Sequence, residues 1–222
     1  MRYEFAPLVR RTVLLAAFAL AIPFVAAQQA AAAATTPAET FVSTNVERGL
    51  SILNNTSLSS EQKRSQFERF LLSLTDMKRI AMFTLGQYRR GASQGDLESF
   101  ASAFQNYAVA VYQSYFARYA GQTLQVTGST NVGPQDDVVK TILVDPHDSS
   151  GQQPLEVDFR VKSDTGRPVV VDFSVGGVWL GQEERDQFTA FLGQNNGDIN
   201  ALISHLGDLA RQFKTAQQQP QH

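Results

Sequence analysis

The segment LEVDFRVKSDTGRPVVVDFSV, Leu155 to Val175, decides the fold. In its first part Leu155, Val157, Phe159 and Val161 alternate with Glu156, Asp158, Arg160 and Lys162, which is the two-residue period of a strand with one wet face. Ser163 to Arg167 (SDTGR) is turn chemistry, and Val169 to Val175 returns as a second, more apolar strand. Asp172 interrupts that run, so it belongs on the opposite face and needs a polar partner there. The hairpin therefore offers Phe159, Val161, Val171, Phe173 and Val175 as a hydrophobic floor that something must cover.

The floor widens toward the N-terminus, where Thr123 to Thr127 and Val138 to Val144 also alternate. Ahead of these strands the period is helical. Val42, Val46, Leu50 and Leu53 stripe a helix over Ala38 to Leu53, and Ser57 to Ser60 caps a second helix carrying Phe67, Phe70, Leu71 and Leu74. Met77 to Arg90 reads as a third. The longest begins near Asp96 with the stripe Leu97, Phe100, Phe104, Tyr107, Val111, Tyr115 and Tyr119, and Gly121 ends it. Two more helices, Gly181 to Gln194 and Asp198 to Lys214, follow the strands. Helices, four antiparallel strands, then helices predicts an α+β class, one curved sheet with helices on its apolar face.

The N-terminus reads differently. Arg2, Arg10 and Arg11 precede the apolar run Thr12 to Val25, too short to span a bilayer and followed by small residues. This predicts a secretory signal peptide over 1–27, with an alternative cleavage near 34, and hence an exported, periplasmic product. A low-complexity leader over 28–38, a single domain over 39–214 and a polar tail over 215–222 complete the organisation. Removing the signal peptide takes away three arginines and one glutamate, so the formal charge becomes more negative than the −2 of the whole chain. An acidic surface argues against nucleic acid as a partner. The absence of cysteine leaves no disulfide or thiolate metal site, and three histidines offer no convincing ligand set.

Catalytic signatures are few. Gly91 to Gly95 (GASQG) matches G-x-S-x-G, with Asp145, His147, Asp198 and His205 downstream in hydrolase order. A nucleophile elbow needs a preceding strand, and here a helix precedes, so Ser93 reads better as a helix cap with Asp96 three residues on. A secreted serine hydrolase using Ser93 is thus the remote alternative. Asp145 to Ser150 (DPHDSS) reads as a polar loop, and Gly176-Gly177 as a bulge or tight corner. Arg89-Arg90 suits either a phosphate or a solvated helix end. No catalytic set emerges, and the two apolar surfaces, sheet and long helix, either fill one core or leave room between them for hydrocarbon.

Three stretches carry a resemblance. LGQYRRGASQGDLESFASAFQNYAVAVYQSYFARYAG, Leu85 to Gly121, is similar to an LG–(W/Y)R turn leading into an F–F–Y helix, with Phe100, Phe104, Tyr112 and Tyr119 as its aromatics. Asp172, Gly177, Val178, Leu180, Arg185 and Phe188 match the spacing of a second pattern, and GDINALISHL, Gly197 to Leu206, a third. From about Phe41 to Leu209 the chain resembles the MlaC, or toluene-tolerance, family of periplasmic phospholipid-binding components of an ABC transporter system. It departs from the pattern at Trp179, Gly176 and Val169, where the family usually has a serine, an acid and a tryptophan.

The resemblance implies an NTF2-like fold around an elongated hydrophobic cavity, a bound phospholipid as ligand with no cofactor and no metal, and no enzymatic activity. It further implies a monomeric shuttle between an outer-membrane MlaA-like lipoprotein and an inner-membrane MlaD-like component of an MlaFEDB-like complex, maintaining outer-membrane lipid asymmetry. A sister branch is associated with hopanoids. The expected lipid-binding residues are Phe104, Val111, Ile142, Phe159, Val161, Val171, Phe173, Val175 and Trp179, with Tyr88 and Arg89 meeting the headgroup or a docking partner.

Overall fold

The computed structural model describes residues 35–116, 119–149 and 151–216. The expected signal peptide, most of the leader and residues 217–222 of the tail lie outside them. Helix α1, Pro37–Leu53, begins inside the expected leader, because Thr36 and Glu39 close a reciprocal capping box and Pro37 occupies the first turn. Ser59 and Gln62 make the same box for α2, Ser60–Leu74, and Asp76 caps α3, Met77–Thr84.

The spacing from Met77 to Arg90 predicts one helix, but the chain breaks it at Gly86. That residue takes φ +55, and a β-carbon there would lie 2.9 Å from Thr189 Cγ2. Only glycine satisfies both the left-handed backbone and the close approach. The chain continues as a 3₁₀ helix, Gly86–Gly91, and then as α4, Gln94–Phe116. Ser93 caps α4, accepting from the Asp96 N–H at 3.1 Å and donating to Asp96 Oδ2 at 2.7 Å.

The sheet has five strands, not four: β1 Thr123–Gly133, β2 Asp136–Val144, β3 Val157–Lys162, β4 Val169–Val175 and β5 Val178–Trp179. They lie in sequence order, every neighbour antiparallel. β5 escaped the periodicity because two residues carry none. It exists because Gly176 (φ 57) and Gly177 (φ 83) form a two-residue hairpin turn with positive φ at both central positions. β1 runs six residues beyond its expected end, its Ser, Thr and Asn side chains held by backbone pairing to β2 across two bulges. Helices α5, Leu180–Gln194, and α6, Ile199–Ala216, close the described chain, α6 reaching into the expected tail.

Among the described residues two separate cores result. The larger is helical and joins Met77, Ala81, Leu85, Phe100, Phe104, Phe188, Leu192, Leu202 and Leu206 from α3 to α6. The smaller places Ala38 and Val42 of α1 on Val139 and Val161 of the sheet. Polar ties hold the frame. Arg160 donates twice to the buried Asp136 (3.0 and 2.8 Å) and Lys162 adds a contact at 2.7 Å. Arg79 grips Asp164 with two bonds of 2.8 Å, fastening α3 to the β3–β4 turn.

Candidate functional site

Strand register sorts the side chains by face, since residues paired across strands point the same way and neighbours alternate. Phe159 pairs with both Val139 and Phe173, and Val157 pairs with Val175, so these share the face on which α1 lies. Val178 pairs with Val175 and extends that face into β5. Leu155, two residues ahead of Val157, continues it past the start of β3. Along this face exposure rises steadily: Val139 and Val161 are 0% and 1% exposed, Phe159, Val157 and Val175 are half-buried, and Leu155 and Val178 reach 45% and 52%. One end is sealed by α1, and the other opens to solvent.

An aromatic contact joins the two cores midway along this gradient. Tyr112 of α4 lies 5.6 Å from Phe173, and Phe173 lies 6.4 Å from Phe159 in a stacked arrangement. Tyr112 packs on the helical core and Phe159 on the sheet core. All three rings are only half-buried. The long helix and the sheet thus meet through a thin line of rings instead of a filled core.

Of the expected residues, Phe159, Phe173 and Val175 come together here. Val161 shares their face but is sealed beneath α1, and Val171 is the extra residue of a bulge between Asp172 and Val170. Phe104 belongs to the helical core, its ring 6.3 Å from that of Phe188, and Val111 is half-buried seven residues further along the same side of α4. Two are not brought to this surface. Ile142 bridges Glu156 and so lies on the face opposite Phe159. Trp179 pairs with Ser174, which puts it on that opposite face too, at the N-cap of α5. Tyr112, Leu155 and Val178 were missed as site residues. Tyr112 sits one position off the stripe that periodicity picked out on α4, and that offset was the available signal.

Tyr88 and Arg89 lie elsewhere, in the 3₁₀ helix that packs on α3 and α5. The Tyr88 ring is wedged against the α5–α6 junction, where a β-carbon on Gly197 would come within 3.3 Å of it. It lines a cleft of about 450 Å³ with Asp96, Asp198 and Asn200. Arg89 is exposed beside it.

Two carboxylates are held under strain of burial. Asp172 lies opposite Arg160, as its place in the strand predicts, and accepts from Phe173 N–H (2.8 Å) and Gly181 N–H (2.9 Å). Burial raises its pKa in spite of these bonds. Its carboxylate fills the space a β-carbon on Gly181 would need, 2.9–3.0 Å away, so strand β4 and the start of α5 are seated directly on each other. Glu184 of α5 accepts from Tyr107 Oη at 2.8 Å, while its second oxygen is buried without a hydrogen-bond partner. Burial raises its pKa as well.

The hydrolase constellation resolves into local roles. Ser93 caps α4, Asp145 accepts from the His147 backbone (2.8 Å) and from Gln122 (3.0 Å), and the His205 ring stacks on Phe191 at 4.8 Å. Among the described residues no group of three histidines or carboxylates could hold a metal ion.

Helices packed against a five-stranded antiparallel sheet, with a half-buried aromatic seam between two cores, define an α+β protein with an accessible apolar sheet face. The same fold occurs in the phospholipid-binding protein from Ralstonia solanacearum, whose structure is in complex with a phospholipid; the TM-score is 0.68 at 21% identity, covering 81% of this chain and 99% of that one. The family pattern of the MlaC protein matches residues 43–208, and the chain belongs to the MlaC family.

Proposed function

We propose that this protein is a periplasmic phospholipid carrier that takes acyl chains between its sheet and α4 and leaves the headgroup in solvent. The observation that carries this reading is the gradient on the sheet face, from the sealed Val139 and Val161 to the open Leu155 and Val178. An ordinary core has no reason to continue outward as an exposed apolar ramp, whereas a hydrocarbon chain gains about 0.8 kcal/mol for each CH₂ it buries. Family membership supports it, as does the phospholipid bound by the Ralstonia solanacearum protein.

The mechanism is binding without covalent chemistry. Acyl chains enter past Leu155 and Val178 and part the ring contacts at Tyr112 and Phe173, and the apolar area they bury supplies the affinity. Release follows when an acceptor offers a competing apolar path. In the cell the carrier runs between an MlaA-like lipoprotein of the outer membrane and an MlaD-like component of an inner-membrane ABC transporter, and so maintains outer-membrane lipid asymmetry. The basic and apolar N-terminal run supports export to the periplasm.

Organic extraction of the natively purified protein, followed by lipid mass spectrometry, tests the reading and names the ligand. Stoichiometric phospholipid is expected. Recovery of a hopanoid would keep the carrier and change its cargo; a lipid-free protein that takes up nothing from phospholipid vesicles would overturn both.

A further inference from the structure

The 3₁₀ helix and the adjoining side of α5 form a surface that lipid binding does not use. Phe83, the last apolar residue of α3, is 41% exposed, and the Arg185 guanidinium carbon sits 5.0 Å above its ring centroid. Beside them Gln87, Gln182, Arg185, Asp186 and Thr189 line a shallow cleft of about 470 Å³. With three residues per turn, Arg90 falls on the same edge of the 3₁₀ helix as Gln87. The ridge is held in place by Gly86, whose left-handed backbone is pressed against Thr189 and Arg185.

The 3₁₀ side of this surface is basic, and α5 adds Glu183, already engaged by Gln187 at 2.8 Å, beside Arg185. From Met77 to Ala92 the sequence contains Lys78, Arg79, Arg89 and Arg90 and not one aspartate or glutamate. Arg79 is committed to Asp164. Among the described residues no carboxylate forms an ion pair with Arg89, Arg90 or Arg185. The one acid lining the cleft, Asp186, is already engaged by Gln182 at 2.8 Å. A guanidinium stacked over a ring keeps its in-plane donors for an incoming carboxylate, and arginine with an aromatic is the composition of interface hot spots.

We propose that this ridge, with Phe83 as apolar anchor and Arg90 and Arg185 as charge readers, docks an acidic segment of a protein partner. The assignment rests on the carrier reading only for the need of a partner; the chemistry comes from the surface itself. A protein segment fits better than an anionic membrane. The whole chain carries a net charge of −2, which repels a negatively charged bilayer, while a short acidic segment feels the local arginines within a Debye length. A carboxylate meeting Arg185 beside an apolar side chain on Phe83 would use both features of the site at once.

The test places a photo-activatable amino acid at Gln87, in the exported protein made by its native host, and sequences the peptide it captures. The expected peptide carries more Asp and Glu than Lys and Arg. Its yield should fall about tenfold in Arg90→Glu and in Phe83→Ser, and recover when an acid of the captured peptide is changed to Lys in the Arg90→Glu background. Lipid content measured on the same two variants should stay at the unmodified level, which separates this surface from the carrier reading: a lipid-free protein sinks that reading and leaves the docking result standing. If a variant fails to fold, raising salt on the protein with unaltered Phe83 and Arg90 reads the same charge, and capture should weaken as salt rises. Capture of a peptide with no acidic excess, capture insensitive to both Arg90→Glu and salt, or crosslinks to lipid with Arg90-dependent binding to anionic phospholipid vesicles would each overturn the proposal.

Discussion

The helical core and the sheet face are built from the same residue types, yet they differ in completeness. Phe100 is fully buried, its ring 6.2 Å from those of Phe104 and Phe188, with Leu192, Leu202 and Leu206 closing around it. Phe173 is equally large and equally apolar, but it touches one ring of α4 and one of β3 and stays half-buried. In the first region aromatic side chains hold the fold together. In the second they line a surface whose stability contribution has been left incomplete, which is what a ligand needs in order to supply the remainder.

The contrast is sharpest under mutation. Phe100→Ala should cost about 3–5 kcal/mol, read by denaturant unfolding, because a sealed site leaves a cavity. The lipid content of the protein that remains folded should not change. Equal costs for Phe100→Ala and Phe173→Ala would erase the distinction between the two regions.

The sheet's own anchor comes next. The bonds from Arg160, helped by Lys162, hold the buried Asp136 at a pKa of about 2 against the cost of its burial. Because the folded pKa is depressed, this contribution is present above the ordinary aspartate range and is lost as pH falls through about 2. The loss should be on the order of 2 kcal/mol and should vanish in Asp136→Asn, measured as stability between pH 5 and pH 2. A helical core that melts before the sheet in this acid window would reverse the assignment of the weak point.

Phe173→Ala should cost less than Phe100→Ala, about 1–2 kcal/mol, since its ring is only partly removed from water. Its effect on phospholipid uptake from vesicles should be far larger, about tenfold or more. Uptake unchanged by this substitution would remove Phe173 from the site.

The smallest effect is expected beside the helical core, where Tyr107 donates to Glu184. Glu184 is penalised for its charge, and its raised pKa means that stability is lost as pH rises through the folded value. Glu184→Gln keeps an acceptor for Tyr107 and should stabilise by under about 1 kcal/mol at pH 8, with no gain at pH 4 where the acid is protonated. Equal gains at both pH values would mean that charge is not the cause.

Much of this was legible in the chain. The alternation from Leu155 to Lys162 placed Phe159 and Val161 on the apolar face and Arg160 and Lys162 on the other, where both reach Asp136. The cap at Ser93 and the polar partner required by Asp172 were legible for the same reason, since each satisfies a nearby backbone donor. Ile142 was not. In β2, Val138, Ile142 and Val144 form one apolar parity and Val139, Thr141 and Leu143 nearly another, so pattern alone could not choose the inward one. A one-residue change of register turns every side chain over, and only the pairing of Val139 with Phe159 decides it. Trp179 had no strand period to place it, and its face is set by a two-residue turn that pairs it with Ser174.

The sequence by itself determined the class of fold and the two faces of β3, because periods of two and 3.6 residues and local caps act within a few residues, and the spacing of its motifs determined the family. Only the tertiary structure decided which apolar surfaces seal and which stay open. Whether Phe104 becomes core and Phe173 becomes surface depends on how α4 crosses the sheet, a long-range packing outcome that no local period records.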